Sequence, residues 1–267
     1  MTIHIDTAAP HVRVFTLDRP EVLNATRVAD VVELDRLLDE AEADEDVRCV
    51  VLTGAGDAFC AGHDIHEMKG LDAEALTILE LRRRQATWHW ANARVPTVAA
   101  INGVSYGNGT LMAVGADLRV GGPQTRMKVT ATKYGGANLT WSLPALIGES
   151  HARDLLLTGR VVDGEEAYRM GLLNRFAADG AVLDAAVQLA AEIAANPPSG
   201  PVTVKHLINT SHAASRQAGF DREHAVQLDS LLGDAATDIF DGFHRRSDER
   251  RDARATGGDD GRGPTTS

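Results

Sequence analysis

Hydrophobic and polar positions follow two different periods in the first part of the chain. The segment HVRVFTLDRP, residues 11–20, alternates and is rich in branched and aromatic residues. This pattern predicts a strand that ends at Pro20. From Ala25 onward, apolar residues return at three- and four-residue steps with acids between them, which predicts a helix. The run RCVVLTGAG, residues 48–56, is apolar and then stopped by glycines, as expected for a strand buried on both faces.

The alternation of strand and helix patterns continues through the middle of the chain. Residues 73–92 predict a second helix, and VPTVAAING, residues 95–103, predicts another buried strand. The segment GTLMAVGADLRV, residues 109–120, predicts a helix that runs into a further strand. Strands separated by helices are typical of a parallel sheet with helices packed outside it. We therefore predict an α/β core over residues 1–195.

The last part of the chain has a helical period. Asp163, followed by acids, predicts a helix start, and Gly171 predicts the end of that helix. Several apolar-periodic segments follow, so we expect a C-terminal helical region over residues 196–252. Residues 253–267 are rich in Gly, Asp and Thr, and this composition predicts a disordered tail.

Composition limits the classes of protein that remain. Hydrophobic residues make up 43% and aromatic residues 4%, so the core is expected to be aliphatic. The net charge of −11 disfavours general binding to nucleic acid. Cys49 and Cys60 lie in apolar runs, which predicts reduced, buried thiols in a cytoplasmic protein. The first ten residues carry an acid and lack the apolar region of a signal peptide, and no apolar run is long enough to suggest a membrane span.

Two glycine-rich turns are the first candidates for chemistry. CAGHDI, residues 60–65, and GVSYGNGTLMAVG, residues 103–115, each follow a predicted strand. Backbone N–H groups in turns of this kind bind anions, and two neighbouring turns can direct two N–H groups at one oxyanion. Met112 stands where a G-x-G-x-x-G motif requires its third glycine, so a dinucleotide site is disfavoured.

The order of several segments then resembles a known family. The segments are RPEVLNAT, VVLTGAGDAFCAGHDIHEM, VPTVAAINGVSYGNGTLMAVGADLRV, LLLTGRVVDGEEAYRMGLLNRF and PPSGPVTVKHLIN. Together they resemble the crotonase superfamily, the enoyl-CoA hydratase/isomerase family, from about residue 10 to 245. The resemblance implies a spiral of ββα units and a helical C-terminal region that drives trimerisation. It also implies a homotrimer or a dimer of trimers.

The same resemblance implies an acyl-CoA substrate, with no separate cofactor and no metal. The thioester oxygen would be held by the backbone N–H groups of His63 and Asn108, which form an oxyanion hole. The positions that match the family's CoA site are Leu23, Asn24, Ala25, Ala61, Asp64 and Ile65. The positions expected around the acyl group are Leu111, Thr130, Ala131 and Trp141.

The chain departs from this family at its acid/base residues. Hydratases of the family use two glutamates, and their positions correspond here to Leu111 and Ala131. Between Glu80 and Glu149 the sequence contains one acid, Asp117, which matches a structural aspartate. Hydration of a double bond needs groups that hold water and deliver a proton, and Leu and Ala can do neither. We therefore expect an enzyme that stabilises a thioester enolate but is not an efficient enoyl-CoA hydratase.

Two other functions are compatible with the sequence. The AGHDIHE turn resembles that of methylmalonyl-CoA decarboxylases, which need no general base. A tyrosine that holds the carboxylate in those enzymes aligns near Asn138, and Tyr134 lies four residues earlier, so both are candidate catalytic residues. The alternative from another class is a non-catalytic subunit that binds an acyl-CoA or assists assembly.

The HDIHE cluster itself suggests a metal site, which we disfavour. His63, His66 and Glu67 lack the histidine pair at i and i+4 that the zincin motif requires. The expected role of His66 and Glu67 is a solvated face in the first turns of a helix. The side chain of His63 remains a candidate because the usual acids are missing.

Overall fold

The structure, a computed structural model, describes residues 2–67, 71–211 and 213–232 of the 267-residue chain. The predicted tail at 253–267, and the predicted helical region from residue 233 onward, lie outside the described residues. The strands are β1 (Thr2–Ala9), β2 (Val12–Asp18), β3 (Cys49–Gly54), β4 (Ala58–Cys60), β5 (Thr97–Ile101), β6 (Val104–Tyr106), β7 (Leu118–Gly121), β8 (Arg126–Lys128), β9 (Val162–Asp163) and β10 (Arg175–Phe176).

Eight helices alternate with these strands and follow them in the described part of the chain. The second helix has the bounds that the sequence predicts, residues 73–92. The helices are α1 (Val28–Ala43), α2 (Ala73–Asn92), α3 (Asn108–Gly115), α4 (Leu143–Thr158), α5 (Gly164–Arg169), α6 (Val182–Ala194), α7 (Ser199–Ser211) and α8 (Ala213–Leu232). No helix in these ranges combines the length and the hydrophobicity needed to cross a bilayer.

Local sequence explains where the short helix α5 begins and ends. The Asp163 side chain accepts a hydrogen bond of 2.8 Å from the Glu166 N–H, which satisfies one of the unpaired amides of the first turn. Gly171, just past the helix, has a φ of +82°, a backbone conformation that glycine adopts without strain. Both predicted boundary signals are therefore confirmed.

The strands form two sheets. The larger sheet has the order β1-β2-β3-β5-β7-β10, with β1 antiparallel to β2 and every later pair parallel. The smaller sheet has the order β4-β6-β8-β9, in which β4, β6 and β8 are parallel. The predicted parallel α/β architecture is confirmed, although β1 and the short strands of the smaller sheet carry no clear period in the sequence.

The central strands of the larger sheet are buried on both faces. All six residues of β3 are buried, and the first four alternate between two hydrophobic clusters. Val50 and Leu52 pack with residues of α1 and α3, whereas Cys49 and Val51 pack with residues of α6. Both cysteines are free and buried as predicted, and burial raises the pKa of each thiol to about 12, so neither is a reactive thiolate.

His89 of α2 lies near three carboxylates of α1. The His89 Nδ1 lies 2.7 Å from Asp35, and its Nε2 lies 3.7 Å from Asp39 and 3.6 Å from Glu42. The neighbouring carboxylates of Glu42 and Asp35 raise the pKa of His89 to about 9. His89 therefore faces α1, where its charged form stabilises the packing of the two helices.

We expect the H89Q variant to lose stability in a pH-dependent way. The folded pKa of about 9 exceeds the ordinary value of about 6.5, so the stabilisation is complete below pH 6.5 and disappears as the pH rises through 9. Because the side chain is one quarter exposed, we expect a loss of about 1–2 kcal/mol at pH 6 and little at pH 10. Urea unfolding at both pH values measures this, with the exposed-site variant H206Q as control. An equal loss at both pH values would contradict a charge-based role.

Candidate active site

Two neighbouring strands bring the glycine turns together. Strands β4 and β6 are parallel, with Ala58 opposite Val104 and Cys60 opposite Ser105. One turn, residues 61–63, follows β4, and the other, at Gly107, follows β6 and begins α3. Because parallel strands end at the same edge of a sheet, the two turns lie side by side.

Glycine is required in both turns. Gly62 has a φ of +118° and Gly107 has a φ of +51°, conformations that L side chains rarely adopt. A Cβ on Gly62 would lie 3.2 Å from the Tyr106 carbonyl oxygen and 3.8 Å from the Asn108 nitrogen. The backbones of the two turns are therefore in contact, and a side chain at Gly62 would force them apart.

In the described part of the chain, each turn has a backbone N–H without an acceptor. The Thr26 N–H donates to the Gly62 carbonyl, and the Asp64 N–H donates to the Thr26 carbonyl, both at 2.8 Å. Successive amides of an extended chain point to opposite sides, so the His63 N–H faces away from Thr26. Asn108 is the first residue of α3, where an N–H has no intrahelical acceptor. Among the described residues, neither N–H donates a hydrogen bond.

A cavity of about 330 Å³ opens beside the two turns. Leu111 lies one helical turn after Asn108, and Ala131 begins a 3-10 turn that also contains Tyr134. The cavity is lined by both candidate N–H residues, by the four predicted acyl-group positions and by the two candidate catalytic residues: His63, Asn108, Leu111, Thr130, Ala131, Trp141, Tyr134 and Asn138. The structure therefore brings all of these sequence-predicted residues to one site.

The residues predicted to bind CoA fall into two groups. Ala61 and Ile65 line the cavity. The others form the adjoining turn around Arg19, whose guanidinium donates to both the Asp64 carboxylate at 3.1 Å and the Ala25 carbonyl at 3.0 Å. Leu23 is 46% exposed at the surface of this turn.

The Asn24 side chain stabilises the turn by hydrogen bonds to the backbone. It lies fully buried, donates to the Ala55 and Ala58 carbonyls at 2.9 and 2.8 Å, and accepts from the Arg19 N–H at 2.8 Å. These bonds hold the turn against β4. The Asn24 amide is therefore committed to these bonds, and the CoA contact predicted at position 24 stays a prediction.

The HDIHE cluster is dispersed by the fold. Glu67 accepts the Val28 N–H at 2.9 Å and so caps the start of α1, which differs from the solvated role expected for it. His66 is exposed. Burial and the nearby Arg83 guanidinium hold the pKa of His63 well below its ordinary value, so its imidazole is neutral.

Sequence reasoning missed two helix faces that complete the cavity. One face of α2 and one face of α8 also line it. In each helix the lining positions recur at three- and four-residue steps, the spacing of neighbours on one face. The sequence signal was this spacing of polar residues, which is also typical of a solvated face. The residues are Glu80, Arg83, Arg84, Thr87 and Ala91 on α2, and Phe220, Glu223, His224 and Gln227 on α8.

Helix α8 is held over the cavity by aromatic and polar contacts. The Phe220 ring lies 4.8 Å from the Trp88 ring and 5.4 Å from the Trp141 ring, measured between centroids. The Glu223 carboxylate accepts the N–H groups of Leu139 and Thr140 at 2.9 and 2.6 Å. Because α8 packs here, polar residues of α2 that would be exposed on an isolated helix line the cavity instead.

Comparison with known proteins gives a consistent result. The profile of the family described as enoyl-CoA hydratase/isomerase matches residues 7–242. The chain is 30% identical over 229 residues to 1,2-epoxyphenylacetyl-CoA isomerase of Escherichia coli, covering 81% of this chain and 85% of the relative. It is 34% identical over 231 residues to an enoyl-CoA isomerase/hydratase of Zymoseptoria tritici, covering 76% of this chain and 73% of the relative.

Solved structures share the fold. A crystal structure of an enoyl-CoA hydratase/isomerase from Mycobacterium paratuberculosis superposes with a TM-score of 0.82 and 26% identity, covering 90% of this chain and 97% of that chain. Another, from Xanthobacter autotrophicus, has a TM-score of 0.84 at 23% identity, covers 94% and 97% of the two chains, and supports the fold alone. The fold predicted from the segment order is confirmed.

Proposed function

The chain belongs to the enoyl-CoA hydratase/isomerase family, and from this we propose that it binds an acyl-CoA and stabilises a thioester enolate. The stabilising groups are the backbone N–H groups of His63 and Asn108. The observation that carries the proposal is that both N–H groups lack acceptors among the described residues, in adjacent turns beside one cavity. Pre-oriented donors of this kind stabilise the charge that develops on the thioester oxygen.

The walls of the cavity favour enolate chemistry over hydration. Leu111 and Ala131, the positions that the sequence resemblance matches to the glutamates of hydratases, both line the cavity and both are apolar. Water would therefore be neither held nor activated at these two positions. A reaction that needs the enolate, but no water activated there, fits this arrangement.

We expect the protein to hydrate crotonyl-CoA at no more than a background rate, because neither position can transfer a proton. The loss of absorbance of the conjugated thioester measures this reaction directly. An active hydratase of the family, assayed alongside, serves as the positive control. Turnover typical of the family would contradict the proposal that the enzyme is not an efficient hydratase.

Decarboxylation of a 2-carboxyacyl-CoA is the second candidate reaction. Tyr134 and Asn138 line the same cavity, which supports a contact with a substrate carboxylate. In this reaction the carbon–carboxylate bond breaks and its electron pair forms the enolate, so no base removes a proton. Release of CO₂ from methylmalonyl-CoA distinguishes it. A non-catalytic binding subunit would bind acyl-CoA in calorimetry and leave every such substrate unchanged.

A further inference from the structure

Two helices bring a carboxyl and an imidazole together inside the cavity. Glu80 of α2 and His224 of α8 both line it, and the His224 Nδ1 lies 4.0 Å from the Glu80 Oε1. Each side chain is 14% exposed, which is low for ionisable groups. The packing of α8 on α2 therefore creates a pair of groups that neither helix carries alone.

Glu80 is the carboxyl of this cavity that is available to take a proton. Among the described lining residues, the carboxyls are those of Glu80 and Glu223. Both oxygens of Glu223 accept backbone N–H groups, so this side chain is committed to holding α8. The Glu80 carboxyl accepts no hydrogen bond from any described residue, and it faces the space that a ligand would fill.

The charge of Arg83 links Glu80 to the glycine turns. Burial lowers the pKa of the His63 imidazole and raises the pKa of the Glu80 carboxyl. The buried Arg83 guanidinium, on the same face of α2, adds to the first effect and offsets part of the second. Both groups are thus within electrostatic reach of one cation. The raised pKa of Glu80 makes its carboxylate a stronger base.

We propose that Glu80 is the catalytic base that takes the α-proton of the bound acyl-CoA, and that His224 is a positioning residue for its carboxylate. The geometric basis is the shared cavity, the 4.0 Å approach of the two side chains and the commitment of Glu223 elsewhere. This inference rests on the proposed function, because the proton becomes acidic only when the thioester oxygen is stabilised.

The proton transfer balances without a further reactant. The bond between the α-carbon and its hydrogen breaks, and its electron pair forms the carbon–carbon double bond of the enolate. The negative charge moves to the thioester oxygen beside the N–H groups of His63 and Asn108, and the proton moves to Glu80. When the proton on Glu80 exchanges with solvent before a proton returns to the α-carbon, the α-hydrogen is replaced by one from solvent. Delivery of the proton to the γ-carbon of an unsaturated chain instead shifts the double bond.

The test is exchange of the α-protons of butyryl-CoA and hexanoyl-CoA in heavy water, followed by NMR. We expect E80Q to exchange at least about 100-fold more slowly than the wild type, the size of a lost general base. Its affinity for the same acyl-CoA, measured by calorimetry, should stay unchanged. E74Q, which removes an exposed acid from the same helix, is the matched control and should exchange like the wild type.

A second variant pair tests the positioning role of His224. H224A should slow exchange without changing affinity, because the carboxylate loses its neighbour while the cavity remains. H224N retains a polar nitrogen near the Nδ1 position and should recover part of the rate. A purely structural role would instead weaken affinity and exchange together. In that case the two quantities would change together in H224N as well.

The outcomes separate this inference from the proposed function. If the wild type exchanges and E80Q exchanges equally fast, Glu80 is not the base, and the enolate proposal stands. If the wild type binds both acyl-CoA probes but exchanges neither, the base assignment is overturned, and enolate formation is overturned as well unless methylmalonyl-CoA releases CO₂. If it binds neither probe, the acyl-CoA proposal itself is overturned.

Discussion

Replacing Asn108 by proline is expected to slow the exchange of the α-protons of a bound acyl-CoA by about 100- to 1,000-fold. Proline has no N–H, so the variant removes one of the two donors proposed for the thioester oxygen. Asn108 is the first residue of α3, a position at which helices accept proline, so the fold should persist. Exchange in heavy water and affinity for the same acyl-CoA, measured in parallel, separate enolate stabilisation from binding.

The matched control is N108A, which keeps the backbone N–H. Both variants lose the hydrogen bond of 3.0 Å from the Asn108 Nδ2 to the Thr26 Oγ1, so the difference between them isolates the N–H. We expect N108A to exchange within a few-fold of the wild type. Equal rates for the two variants would show that the Asn108 N–H does not stabilise the enolate.

The α/β fold could be predicted because its central strands are buried on both faces. The apolar runs that became β3 and β5 are bounded by glycine or asparagine, and the helix between them, α2, keeps its predicted bounds. By contrast, β4 and β6 span three residues each, too few to establish a period. Their pairing depends on tertiary contacts, and it is this pairing that brings the two glycine turns together.

The sequence predicts the glycine turns of the site better than the helix faces of α2 and α8. Glycine turns leave a local signal, so the positions of His63 and Asn108 followed from the chain and from the family resemblance. Glu80 and His224 are 144 positions apart and sit on helices whose charged residues are typical of a solvated surface. They become cavity walls because Phe220 packs against two tryptophans and draws α8 across α2.

Helix α7, which leads into α8, is anchored to the sheet by a buried ion pair. The Lys205 Nζ lies 2.7 Å from the Asp117 carboxylate and 3.0 Å from the Val95 carbonyl, and Lys205 is 8% exposed. Asp117 also accepts the Thr97 N–H at 2.8 Å, so one carboxylate joins the start of β5 to α7. This arrangement agrees with the structural role expected for Asp117.

We expect K205M to lower the free energy of unfolding by about 2–3 kcal/mol, because it leaves the partly buried Asp117 carboxylate without its cation. Asp117 is 28% exposed, so water relieves part of the cost and the loss falls below that of a fully buried pair. Urea unfolding measures the loss, with K133M, at an exposed lysine, as the control.

The double variant D117N/K205M should recover part of the stability, since it removes both charges. Losses for D117N and K205M that simply add in the double variant would mean that the two side chains do not interact, and that α7 is anchored by its apolar contacts alone.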